Sequence, residues 1–89
     1  MEAWSENDVE RVLEWYEKDP GEALVGEAPL VGISLEELQA LFSPSDDDPV
    51  MLDVYEVEGP EVGRLQRAVD HAIDLDAFDY FVAAYAREP

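Results

Sequence analysis

The sequence predicts a fold that mixes helices and strands, and three local patterns predict it. Ser34-Leu35-Glu36-Glu37 is a capping box, in which the serine hydroxyl serves the Glu37 amide and Glu37 reaches back to open a helix. The run "VMLDVYEV" at 50–57 is β-branched and aromatic with partial alternation, as a strand requires. Pro60 suits the first turn of a second helix, where its missing N–H leaves no bond unmade.

Taken in chain order, the first segment is open to two readings. Val9, Val12, Leu13 and Tyr16 fall at i, i+3, i+4 and i+7 behind Ser5 as N-cap, the pattern of an amphipathic helix. Val12, Glu14 and Tyr16 also alternate with Leu13, Trp15 and Glu17, the pattern of a hairpin arm. Asp19-Pro20-Gly21-Glu22 would then form a type II turn, with Pro fixing φ and Gly accepting φ > 0. Of the two, pattern alone slightly favours the helix. Leu35, Leu38, Leu41 and Phe42 line one face of the capped helix, which stops before Pro44. Val62, Leu65, Val69 and Ile73 mark the buried stripe of the second helix, expected to run to about residue 72, with Gly63 near its start at a point of close packing. The closing "AFDYFVAAYAREP" is again open. Phe78, Phe81, Val82 and Tyr85 have helical spacing, while Phe78, Tyr80 and Val82 have strand spacing.

Composition bounds the rest. Eighty-nine residues make one domain, spanning 1–89. Apolar residues form 47% of the chain, too many for a disordered acidic tail. No apolar run is long enough to span a membrane, and the acidic start "MEAWSENDVE" lacks the basic and apolar regions of a signal peptide. With no cysteine, neither a disulfide framework nor a thiolate site is available. A cytoplasmic location fits these features.

Charge is the outlier. Twenty-three acids face five bases, a net charge of −18. Spread over a small sphere at physiological salt, that charge has a self-energy on the order of 10 kcal/mol. The cost rivals the net stability of a domain this size. Nucleic acid and anionic membrane are disfavoured as direct partners, since both repel such a surface.

Several strings carry a resemblance. "WYEKDPGEALVGEAPLVGISLEELQALF", "DDPVMLDVYEV" and "LQRAVDHAIDLDAFDYFVAAYA" together resemble a family of short bacterial proteins of unknown function. That family shows a Trp-Tyr hairpin start, a Pro-Leu-x-Gly-Ile-Ser-Leu-Glu-Glu-Leu helix start and a Val-Asp-His-x-Ile-Asp-Leu-Asp segment ending in Tyr-Asp-Tyr-Phe. The likeness covers roughly residues 11–86 and is carried by residues such as Trp15, Tyr16, Pro29, His71 and Tyr80. It departs at the acidic N-terminus. The resemblance implies an α+β fold with elements in the order β-β-α-β-α-β, a small antiparallel sheet with two short helices packed on one face. It tips both open segments toward strand and brings no catalytic residues.

The side chains available exclude most chemistry. His71, the only histidine, has no zinc-motif partners and reads as an imidazolium at a helix end, near Asp74 or Asp76. Asp74-x-Asp76-x-x-Asp79 lacks the loop Gly and the twelfth-position Glu, where Tyr85 stands, so it is no EF-hand. The chain leaves little room for a cleft of the ~300 Å³ that small-molecule sites need. No cofactor, metal or catalytic group is therefore expected. What remains is an acidic surface with aromatic support. The candidate partner contacts are Asp46, Asp47, Asp48, Asp70, Asp74, Asp76, Asp79 and Tyr80. Tyr80 and Tyr85 near Asp76 and Asp79 either close the core or form an acidic-aromatic face, and closing the core is the default for such rings. Carboxylates on such a face would meet the Lys/Arg cluster of a basic partner and steer its approach. The expected function is that of a non-catalytic acidic binding protein, an immunity-type inhibitor of a basic, nuclease-like toxin domain. The alternative is an acidic cytoplasmic domain of a salt-rich or acid-biased proteome, whose charge serves hydration.

Overall fold

The computed structural model describes residues 9–19 and 21–86. Strand β1 (Val9–Glu17) and strand β2 (Leu24–Pro29) form a hairpin, followed by helix α1 (Leu35–Phe42), the short strand β3 (Tyr55–Glu56), helix α2 (Gly59–Gln66) and strand β4 (Phe78–Ala86). The expected order β-β-α-β-α-β is thus observed, and both open segments are strands. Ser5, the N-cap of the helical reading, lies outside the described residues. The sheet runs β2-β1-β4-β3 and every pairing is antiparallel.

Burial explains why β1 is a strand. A helix would bury one stripe, whereas this segment is buried on both sides between two neighbours, with Leu13 at 0%, Glu14 at 5% and Val12 at 8% exposure. Leu13 pairs with Val82, and Trp15 with Tyr80. Directly opposed residues share a face, and Leu13, Tyr80 and Val82 enter one core with Leu38 of α1 and Leu65 of α2. Both helices therefore cover this face, called here the inner face. Gly26 lies opposite Trp15, and a Cβ there would come within 2.6 Å of the indole ring. The glycine lets the ring lie against β2.

The capping box opens α1 as expected, with Ser34 Oγ accepting from the Glu37 amide at 3.1 Å. Arg64 of α2 ties to the same glutamate at 2.8 Å. The Arg64 hydrogen bonds, with that of the Ser34 amide, hold the Glu37 carboxyl below its usual range. Pro60 sits in the first turn of α2.

Five local expectations are corrected. Only Tyr55–Glu56 of the 50–57 run is strand, because the Asp48 carboxyl accepts from the Leu52 and Asp53 amides at 2.8 and 3.0 Å. Those bonds fold the chain into a turn, and Met51 takes a left-handed φ of 54°. Helix α2 ends at Gln66, well short of residue 72. The Gln66 side chain accepts from the Ile73 amide at 2.8 Å and donates to the His71 carbonyl at 2.6 Å. It thereby holds the following chain as a loop, from which Val69 and Ile73 still reach the core. Gly63 is exposed, and a Cβ there would meet nothing within 4 Å, so it marks no close packing. The hairpin turn is closed by Gly21 N–H to Lys18 C=O at 3.0 Å, one residue earlier than expected. The left-handed residue is Glu22 at φ 54°, not Gly21.

The fifth correction concerns His71, which lies beyond the end of α2. Its ring stacks on Trp15 at 3.8 Å between centroids and 14° between planes. Its Nε2 shares a hydrogen bond of 2.7 Å with the Tyr80 hydroxyl, which also accepts from the Asp74 amide at 3.0 Å. The imidazole is a wall of the core and does not sit at the helix end.

Candidate functional site

The alternation that buries Leu13 and Trp15 inward turns Glu14 and Tyr16 to the outer face of the sheet. The register fixes their company there. Glu14 stands opposite Glu27 on β2 and Phe81 on β4; Tyr16 stands opposite Asp79, and Glu10 opposite Tyr85. Glu56 of β3 faces Phe81 from the other side. One row across the sheet thus reads Glu27, Glu14, Phe81, Glu56. Like charges directly opposed on a sheet destabilise it. Three carboxyl groups in such a row are a cost that sheet formation itself does not require.

Glu14 is the centre of this row and is 5% exposed. Its carboxyl accepts from the Tyr16 hydroxyl at 3.3 Å and, on its other oxygen, from the Tyr85 hydroxyl. The hydrogen bond to Glu14, reinforced by burial and by the charges of Glu14 and Glu27, pushes the Tyr85 phenol up to about 12. Burial, then the same two glutamates, raises the Tyr16 phenol. Tyr16 meets Phe81 edge to face, with centroids 5.6 Å apart and planes at 83°.

Beside these rings lies an open cleft of about 310 Å³, lined by Glu14, Tyr16, Val54 and Phe81, with Glu17, Glu22 and Asp79. The expectation that the chain lacks room for a cleft of this size is therefore corrected. The space lies on the outer face of the sheet, between β1, β4 and the residues before β3, an arrangement that length and composition do not reveal. At the rim Lys18 Nζ pairs with Asp79 Oδ1 at 3.0 Å. Glu22 has its carboxyl raised by a hydrogen bond with Asp19, then by burial and by the charge of Asp79. Acids here crowd one another.

The candidate contacts read from sequence are not brought together by the fold. Asp46, Asp47, Asp70 and Asp76 are exposed on the loops after α1 and α2. Asp48 is half-buried and bound internally. Burial works against its ionisation, but hydrogen bonds from the Tyr55 hydroxyl and the Leu52 and Asp53 amides outweigh it and hold the carboxyl below its usual range. Asp74 is exposed, and its carboxyl accepts from the Asp76 amide at 3.1 Å. Asp79 alone of the eight candidates lines the cleft. Tyr80 is 0% exposed and belongs to the core with His71 and Trp15, so it offers no surface to a partner. Tyr80 and Tyr85 cannot share an acidic-aromatic face, because five positions along a strand point opposite ways.

Sequence reasoning missed Glu14, Tyr16, Glu17, Glu22, Glu27, Val54 and Phe81. The period-two alternation of Val12, Glu14 and Tyr16 was visible. Its meaning depended on the pairing with β4, which pattern does not give.

A sequence family described as Domain of unknown function (DUF7683) matches residues 10–83. The chain belongs to the DUF7683 family. The matched span takes in β1 through most of β4, including every residue lining the cleft. No curated protein matches the sequence of this DUF7683 domain. Among its described residues no helix is long and apolar enough to cross a membrane. No group of three or more His, Cys, Asp or Glu among them is arranged to hold a metal ion.

Proposed function

We propose that this DUF7683 domain is a non-catalytic binding protein whose outer sheet face takes a basic protein partner. The reading is supported above all by the row Glu27, Glu14, Phe81 and Glu56, where acids are concentrated around aromatic rings on the side away from the helices. Tyrosine and phenylalanine give contact area, while the carboxylates give steering and register. The partner class that suits this chemistry best is a nuclease-like toxin domain, whose Lys/Arg cluster would otherwise grip phosphates. The chain would then act as an immunity-type inhibitor in a bacterial cytoplasm, covering that cluster. The exposed Asp46, Asp47, Asp70, Asp74 and Asp76 would add long-range attraction.

The test is capture by the immobilised protein at low and high salt, followed by assay of the retained protein for nuclease activity and its inhibition. Retention of a cationic nuclease that weakens with salt and is inhibited on binding is the expected result. Retention indifferent to ionic strength, or retention of nothing basic, overturns the reading.

A second reading has its own support. Exposed acids occur on both loops and on α1 as well as on the outer face, and Asp48 serves an internal turn. In this alternative the charge keeps a domain of an acid-biased proteome hydrated, with no inhibitory role. Uniform acidity among products of neighbouring genes would favour it.

A further inference from the structure

We infer that the cleft on the outer face receives an arginine side chain of the basic partner, its guanidinium meeting Glu14 and Asp79 and its plane lying against Phe81. The inference deepens the proposed function and rests on it.

Charge selects the occupant. A second copy of the chain would bring another −18 against the same carboxylates, so self-association through this face is opposed. A cation is favoured, and the geometry distinguishes between cations. An ionised carboxyl has about four acceptor directions. The Tyr16 and Tyr85 hydroxyls use one on each oxygen of Glu14, leaving one free direction on each. Glu14 is only 5% exposed but lines the cleft, so a group must enter the cleft to reach it. Two parallel N–H groups of a guanidinium match a two-oxygen acceptor, whereas an ammonium is a single compact point.

The walls favour the same choice. Tyr16 and Phe81 stand at 83° to one another, so an aromatic surface is available beside the carboxyls. A planar, weakly hydrated guanidinium can lie on such a surface while its edge reaches the acids. Val54, 57% exposed, offers apolar cover to the methylene stem. At the rim, Glu22 shares a hydrogen bond with Asp19 and lies close enough to Asp79 to feel its charge. Asp79 already holds Lys18 at 3.0 Å, but both side chains are about two-fifths exposed (43% and 39%). A pair this open is worth little and can be exchanged for an incoming arginine.

The experiment titrates the full chain with hexa-arginine and, separately, hexa-lysine at about 50 and about 500 mM salt, following affinity by calorimetry and location by NMR. Hexa-arginine is expected to bind about tenfold more tightly than hexa-lysine at either salt. Its largest shifts should fall on Tyr16, Val54, Phe81 and Asp79. Phe81→Leu and Asp79→Asn should each reduce the preference for arginine to about threefold or less. Glu36→Gln, an equal charge change on α1, should leave the preference intact. Glu14→Gln risks the fold itself, so the rim and ring variants carry the test. Equal affinities for the two peptides, with shifts confined to 45–49 or 70–76, would overturn the cleft as the receptor yet leave a basic partner in place. No binding of either peptide would overturn both.

Discussion

At the scale of single residues, the tyrosines report how tightly the acids are held. Tyr85 gives its hydroxyl to Glu14 although 48% of the residue is exposed. Water competes for that bond, so Tyr85→Phe should lower stability by only about 1 kcal/mol in urea unfolding. Tyr55 gives its hydroxyl to Asp48, and burial followed by that bond pushes its phenol up to about 12. Both phenols keep their protons when folded at a pH where the unfolded chain has lost them. Their contribution is therefore complete below about pH 10 and is lost as pH rises toward 12. Urea midpoints should fall between about pH 10 and 12, and Tyr55→Phe should flatten that fall. Asp48 works in the opposite direction. Its depressed carboxyl stabilises the fold above the ordinary carboxylate range, and the effect is lost as pH falls below about 4. Asp48→Asn cannot accept from Leu52, Asp53 and Tyr55 at once. It should cost about 1–3 kcal/mol and weaken the acid dependence of thermal unfolding.

At the scale of elements, what was legible in the sequence followed from local chemistry. Ser34 and Glu37 announced α1 because a capping box is complete within four residues. Pro60 announced α2 in the same way. The ends of elements were less legible where a distant atom decides them. Gln66 stops α2 by bonding residues 71 and 73, and Asp48 shortens β3 by bonding 52 and 53. The two central strands needed the family resemblance, since apolar residues at 9, 12, 13 and 16 satisfy both periods. The cleft was illegible for a related reason: Glu14, Tyr16 and Phe81 meet only through the β1–β4 register. Gly63 gives this scale its own prediction. It is helical, exposed and free of neighbours within 4 Å, so Gly63→Ala should raise stability by about 0.5–1 kcal/mol in urea unfolding.

At the scale of the molecule, repulsion among acids is the dominant long-range term. Among the described residues two ion pairs engage opposite charges, Lys18–Asp79 and Arg64–Glu37, against a net charge of −18. Added sodium chloride screens the remaining repulsion. The thermal midpoint at neutral pH should therefore rise by several degrees between about 50 and about 500 mM salt, before any effect of salt on a partner. The sheet order β2-β1-β4-β3 has a further consequence, which concerns synthesis. The strand made first needs the strand made last, with Val9 held beside Ala86. During translation the early hairpin must wait, one backbone edge bare, until β4 clears the ribosome and zips down its whole length. Termination or cleavage anywhere before residue 78 would release a sticky fragment, not a smaller working version.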